Sequence, residues 1–186
     1  MNRSSSASAI PVLALAFLLL CGCETPTLCV DRIGDGDPAA KAAILSTVDQ
    51  FFVAMSRRDA AACAELMLED GTATVMVEGP EHWQLSRRSH KVVVDGIAAG
   101  KGVPIETYWE PTVLVRGPIA VVWAPYRFEV DGVESHRGID VFDMVLSDGR
   151  WRIASSMWTK EKGEDLSPGT FEAVRPASLR DASAGN

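Results

Sequence analysis

The chain has 186 residues, 18 Lys and Arg against 25 Asp and Glu, and a formal net charge of −7. An acidic balance of this size argues against nucleic acid as a partner, because phosphate binding needs a basic face. The three histidines and four cysteines show no zinc-type spacing, so neither a metal nor a cofactor is expected.

Arg3 supplies a positive start, and residues 9–20 form an apolar run of about a dozen, short of the ~20 that a spanning helix needs. The run reads as the hydrophobic part of a signal peptide. Leu20-Cys21-Gly22-Cys23 follows: an aliphatic residue, two small ones and a cysteine, the pattern of a lipobox. Cleavage before Cys23 and lipidation of its thiol are expected. Cys21 is the poorer candidate, since Leu20 would fill a position that has to be small. Acyl methylenes at ~0.8 kcal/mol each would make the anchoring durable. Glu24 stands next, not Asp, and by resemblance to Gram-negative lipoproteins this favours the periplasmic side of the outer membrane over inner-membrane retention.

Removing residues 1–22 from 186 leaves 164, enough for one domain with a core. Residues 23–37 read as a linker, carrying Gly34, Gly36 and three Asp. Cys29 and Cys63 could pair in an oxidising compartment, but Cys63 falls on the apolar face of a helix, where a buried free thiol is the commoner outcome.

From residue 38 the pattern turns helical, with Ile44, Val48, Phe51, Phe52 and Met55 on one face. Asp59 can cap a short second helix over 60–67, and Asp70-Gly71 would end it. Residues 73–77 suggest a short strand, 80–86 a loop and 87–99 a third helix. Arg87, Arg88, His90 and Lys91 make a basic cluster there, read either as a solvated face or as an attractor of anions.

After Pro104 the period becomes two. Runs at 106–115, 119–130, 133–147 and 150–159 are separated by Arg116-Gly117, Asp131-Gly132 and Asp148-Gly149, the X-Gly pairs that favour tight hairpin turns. They predict a four-stranded antiparallel meander, with residues 163–186 a disordered tail. The fold class is α+β, helices covering one sheet face.

Over 41–160 the chain resembles the nuclear transport factor 2-like (SnoaL-like, ketosteroid-isomerase-like) superfamily and its group named for lumazine binding. The likeness rests on element order and on Trp109-Glu110-Pro111, Val122-Trp123-Ala124-Pro125-Tyr126, Asp131-Gly132, Ser135-His136 with Gly138, Phe142, and Gly149-x-Trp151-x-Ile153. It implies a cone-shaped, cystatin-like domain over 38–162. That fold serves isomerases, cyclases, dehydratases and pure binders, so function has to come from the site.

Two-residue turns would fix the register of the whole meander. Rows across one face then read Leu114, Ile119, Met144, Ile153; Thr112, Val121, Phe142, Ser155; Glu110, Trp123, Asp140, Met157; and Tyr108, Pro125, Gly138, Thr159, with His136 beyond them. This face carries the larger side chains and is expected under the helices, grading from greasy floor to polar mouth. Asp140, Glu110 and His136 are the candidates for acid/base work, set against a bland reading as polar lining or rim. Trp123, Tyr108, Thr112, Phe142 and Ser155 are the expected ligand contacts. Trp123 between two acids would suit a cationic or hydrogen-bonding ring. Trp109, on the opposite face with Ala124 and Val141, is expected at a homodimer contact, while Asp143 and Arg152 read as a weak surface pair. Pro125 inside a strand makes a bulge plausible and the register beyond it least secure.

Three functions follow. The first is an envelope protein binding a small, partly apolar molecule in the cone. The second is a protein-interaction or dimerisation module. The third is an acid/base enzyme using Asp140 or Glu110, which would need an oxyanion donor such as Tyr108 or His136; no clear catalytic pair of the isomerases is present.

Overall fold

The computed structural model describes residues 37–161 and the two-residue strand Ala173–Val174. The expected signal peptide, with Cys21, Cys23 and Cys29, lies outside the described residues. No helix among the described residues is long and apolar enough to cross a membrane.

Three helices come from local chemistry that the sequence displays. Helix α1 (Pro38–Ser56) starts with Pro38 in its first turn and Asp37 as cap, its carboxylate accepting from Ala39 N at 3.0 Å. Asp59 caps α2 (Ala60–Glu65) through Ala62 N at 3.0 Å. Ser89 caps α3 (His90–Ala99), accepting from Val92 N.

The strands are β1 (Met67–Val77), β2 (Gln84–Ser89), β3 (Pro104–Trp109), β4 (Thr112–Arg116), β5 (Ile119–Val130), β6 (Val133–Ser147), β7 (Arg150–Lys160) and β8 (Ala173–Val174). They form one sheet in the order β2-β1-β7-β6-β5-β3-β8, with β4 also on β5. All pairings are antiparallel except β1 with β7. Helices pack on the concave side of this curved, unclosed sheet, giving the expected α+β architecture.

Several elements depart from the sequence reading. Residues 67–72, expected in a helix end and turn, begin strand β1. Residues 84–89, expected in a loop and the start of a helix, form β2, so Arg87 and Arg88 sit on a strand. The run 106–115 breaks at Glu110-Pro111 into β3 and β4, and Glu110 takes φ 42°, a conformation costing a side-chain-bearing residue about 1–2 kcal/mol. Within the segment expected to be a disordered tail, Ala173 and Val174 pair with Trp109 and Tyr108.

Register decides what faces the cavity. Asp131-Gly132 and Asp148-Gly149 make the expected two-residue turns, both residues of each with positive φ. The third turn is Gly117-Pro118, joining Arg116 to Ile119; Pro118 has no N–H for the ladder and is displaced into the turn. Two bulges then change faces. Ser135 is extra on β6, between the pairs Glu129–Glu134 and Phe128–His136. Ala154 is extra on β7, between Met144–Ile153 and Asp143–Ser155. Each one-residue slip carries every later side chain to the opposite face relative to its neighbour. Asp140 therefore lies opposite Ala124, and Trp123 opposite Val141.

The core sits between α1 and the concave face. Ile44, Val48, Phe51, Phe52 and Met55 are all buried, as the helical spacing predicted. Phe52 packs 5.9 Å from Phe142 and 5.8 Å from Tyr108, ring centre to ring centre, spacings at which aromatic pairs add to simple burial. Cys63 is a buried free thiol, its pKa pushed up to about 12 by burial and then by Asp59.

Candidate functional site

A cavity of about 310 Å³ opens between α1, α3 and the concave sheet. Phe51, Phe52, Phe142 and Ile97 make its buried apolar wall, while Trp158, Phe128 and Met55 continue it toward the mouth. Arg88, Val92 and Gly96 are exposed at the rim, with Lys160 and His136 half-buried beside them.

Two acids stand inside this wall. Glu106 on β3 and Asp140 on β6 are each more than nine-tenths buried. Their carboxyl groups hydrogen-bond to each other, which requires that one hold a proton. Burial pushes both pKa values up. Asp140 is raised by desolvation, then by the charge of Glu106 and its hydrogen bond. Glu106 is raised by burial and eased downward by the Asp140 hydrogen bond and by Lys160.

The surroundings are built around this pair. Tyr126, whose pKa is raised by burial and both acids, donates its hydroxyl to Thr159 O at 2.6 Å. His136 stacks on Phe128 with ring centres 4.8 Å apart, and burial followed by the Lys160 charge lowers its pKa to about 4, leaving it neutral at pH 7. Lys160 is itself lowered by burial and by Arg88, against the pull of Glu106. Arg58, at φ 57°, donates to the carbonyls of Ile97, Lys101 and Gly102 and so ties the end of α3 and the approach to β3 to the α1–α2 turn. Gly138 is required where β6 and β7 approach, since a Cβ there would lie 2.4 Å from Thr159 O.

The sequence-derived candidates divide. Asp140, His136 and Phe142 line the cavity. Glu110 is exposed in the break between β3 and β4. Trp123, at 50% exposure, lies on the convex face, in the row of Thr112, Val141 and Met157. Thr112 and Ser155 share that face, and the Ser155 hydroxyl donates to Asp143, while Arg152 reaches Asp148 instead of Asp143. The two bulges, with the break at Glu110-Pro111 between β3 and β4, explain these placements, because the predicted rows assumed an unbroken register. Tyr108 is buried, donating to Asp49 Oδ1 at 2.8 Å, and does not line the cavity. Trp109 is buried and so is not an exposed contact residue. Of the basic cluster, Arg88 reaches the cavity rim, His90 is buried with Nδ1 2.7 Å from Leu68 O, and Lys91 pairs with Asp95.

Glu106, Tyr126, Trp158 and Lys160 were not singled out as candidates. A period of two from Tyr108 places Glu106 on the same face, so the signal was present in the strand. Trp158 and Lys160 lie beyond the Ala154 bulge, which no turn residue announces. Among the described residues, no cluster of His, Cys, Asp and Glu has the arrangement of a metal site.

No protein-family model and no curated protein matches the sequence. Solved structures do match the fold. A nuclear transport factor 2-like protein of unknown function from Pseudomonas putida KT2440 aligns with 71% of this chain and 99% of its own, with TM-score 0.57 and 15% identity. A protein of unknown function with a cystatin-like fold from Nostoc punctiforme covers 70% of this chain and 97% of its own, at TM-score 0.56 and 10% identity. A proposed dehydratase from the nuclear transport factor 2-like family of Streptomyces avermitilis covers 68% and 100%, at TM-score 0.55 and 16% identity. The domain thus has the cystatin-like, nuclear transport factor 2-like fold. At such identities the likeness extends to the fold and no further.

Proposed function

We propose that this chain is an exported lipoprotein, tethered through Cys23 in the cell envelope, whose domain binds a small, partly apolar molecule in its cavity. One observation carries the binding reading: two buried acids stand in an aromatic-walled space, the form of a ligand site with a few polar groups to orient its occupant. The likeness to the group named for lumazine binding rests on sequence motifs and fixes no ligand. Mass spectrometry of small molecules released from the purified chain tests the reading. A compound should be released from the wild type and lost from Phe142→Trp, which fills the cavity while keeping an aromatic core. Retention by that variant would move the site elsewhere.

A second reading takes the same pair as acid/base machinery, Asp140 holding a proton and Glu106 accepting one. It is favoured by the raised Asp140 pKa inside a cavity, and by the dehydratase name borne by one structural neighbour. Asp140→Asn keeps the shape and the hydrogen bond but removes the transferable proton. Turnover of any substrate should then fall at least ~10²-fold, whereas simple binding would persist.

The convex face carries a separate proposal, a homodimer contact. Leu114, Ile119, Trp123 and Met157 are exposed there together, replacing Trp109 as the apolar surface to be covered.

A further inference from the structure

The cavity's polar groups are unevenly divided between its floor and its rim. On the floor, Glu106 and Asp140 both line the cavity, and Asp140 Oδ2 is buried without a hydrogen-bond partner among the described residues. Two carboxyl groups holding one proton are rich in acceptor positions, and buried acceptors left unfilled are costly. The neighbouring hydroxyl of Tyr126 is committed to Thr159 O. The floor therefore asks for a hydrogen-bond donor.

The rim asks for the opposite. Arg88 and Lys160 form no salt bridge among the described residues, and they sit close enough to repel each other. His136 is neutral and adds nothing to either sign at pH 7. Against the single negative charge of the acid pair stand two free cationic heads at the mouth, with the Arg58 guanidinium behind them. Unpaired cations at the lip of an apolar cavity favour an anionic group held at that lip.

Between the ends, Phe51, Phe142 and Trp158 present aromatic surface. A volume near 310 Å³ equals about ten waters at roughly 30 Å³ each, enough for one ring and a short chain.

We propose that the ligand class is a small aromatic carboxylate bearing a hydroxyl or N–H at the end remote from its carboxylate. The donor goes to the Glu106–Asp140 pair, the ring lies on the aromatic wall, and the carboxylate sits between Arg88 and Lys160. This inference rests on the small-molecule reading of the same cavity and adds the chemistry at its two ends.

Isothermal titration calorimetry of the full chain with three matched probes tests it. 3-(4-Hydroxyphenyl)propionate has both groups, 3-phenylpropionate lacks the donor, and 4-ethylphenol lacks the anion. The hydroxy acid should bind at least tenfold tighter than either of the others. Arg88→Gln with Lys160→Met should abolish its advantage over 4-ethylphenol and leave the advantage over 3-phenylpropionate. Asp140→Leu should abolish the latter, and Asp140→Asn, which keeps a carbonyl acceptor, should restore it. If the three probes bind equally, or the neutral phenol binds best, the ligand class is wrong and the cavity remains a binding site. If none binds and no compound is released from the purified chain, the binding reading fails as well.

Discussion

The carboxyl groups of Glu106 and Asp140 meet across the intervening row of Tyr126 and Gly138 and hold one proton between them. Residues on strands that flank β5 are brought together by the curvature of the sheet. Such a pair costs desolvation energy and is kept near neutrality by sharing its proton.

That sharing sets a pH dependence of stability. Asp140 binds its proton more tightly in the folded chain than at its ordinary value of 3.8. Its contribution is complete below that value and is lost as pH rises through the raised native pKa. His136 works the other way, with a native pKa of about 4 against 6.5: its contribution is present above 6.5 and lost as pH falls through 4. Where the two slopes overlap they oppose. Urea midpoints of the wild type should therefore fall relative to those of Asp140→Asn as pH rises above 3.8, because the variant has no proton to lose. An unchanged slope in that variant would place the titration elsewhere.

Arg58 spends its guanidinium on three backbone carbonyls that end α3 and lead into β3. Charge-assisted bonds of this kind are worth about 1.5–3 kcal/mol each at best and less where exposed, so Arg58→Met should cost about 2–4 kcal/mol overall. Equilibrium urea unfolding measures it. A loss under ~1 kcal/mol would show that the loop holds without this residue.

At Gly138 the expected fault is steric. A Cβ would meet both Thr159 O and Thr159 Oγ1 at 2.4 Å, and these atoms accept from Tyr126 and from Ile139 N. Gly138→Ala should cost about 1–3 kcal/mol, and amide exchange at Ile139 should accelerate. Unaltered protection there would mean that β7 gives way without losing its bonds.

How much of this was legible beforehand follows from the type of signal. The apolar face of α1 was readable from Ile44 to Met55, because helical spacing survives any tertiary detail. Asp131-Gly132 and Asp148-Gly149 announced their turns through residues that tolerate positive φ. The bulges at Ser135 and Ala154 had no such marker: the first exchanged Trp123 for Ala124 opposite Asp140 on β5, and the second exchanged Met157 for Trp158 opposite it on β7. Asp140, Phe142 and His136 survived because they share one strand and moved together. Glu106 was missed at the margin of its run, where no sequence rule pairs it with an acid on another strand.

The convex strip yields its own test. Trp123→Lys puts a charge at the centre of the exposed apolar row, on a side chain that is 50% exposed. Stability of the isolated subunit should change by no more than ~0.5 kcal/mol, while sedimentation should shift from dimer to monomer. A wild type that sediments as a monomer at all concentrations would remove the dimer proposal.

Anchoring is checked directly. Cys23→Ser should abolish incorporation of labelled palmitate and release the chain from the membrane fraction, because stable attachment requires the acyl chains. Continued labelling in that variant would assign the modification to another residue.

The parallel pairing of β1 with β7 joins residues 67–77 to 153–160. Some eighty residues intervene, whereas the β5–β6–β7 meander is assembled from neighbours through two-residue turns. Loop closure favours the meander first and β1 late. Since β1 carries β2, and β2 carries Arg88 to the rim, the acid-bearing half of the pocket, with Lys160 on β7, precedes Arg88 on the folding route. Synthesis from the N-terminus delivers the strands in the reverse order, so β1 must wait, unpaired and half apolar, until the last long strand arrives.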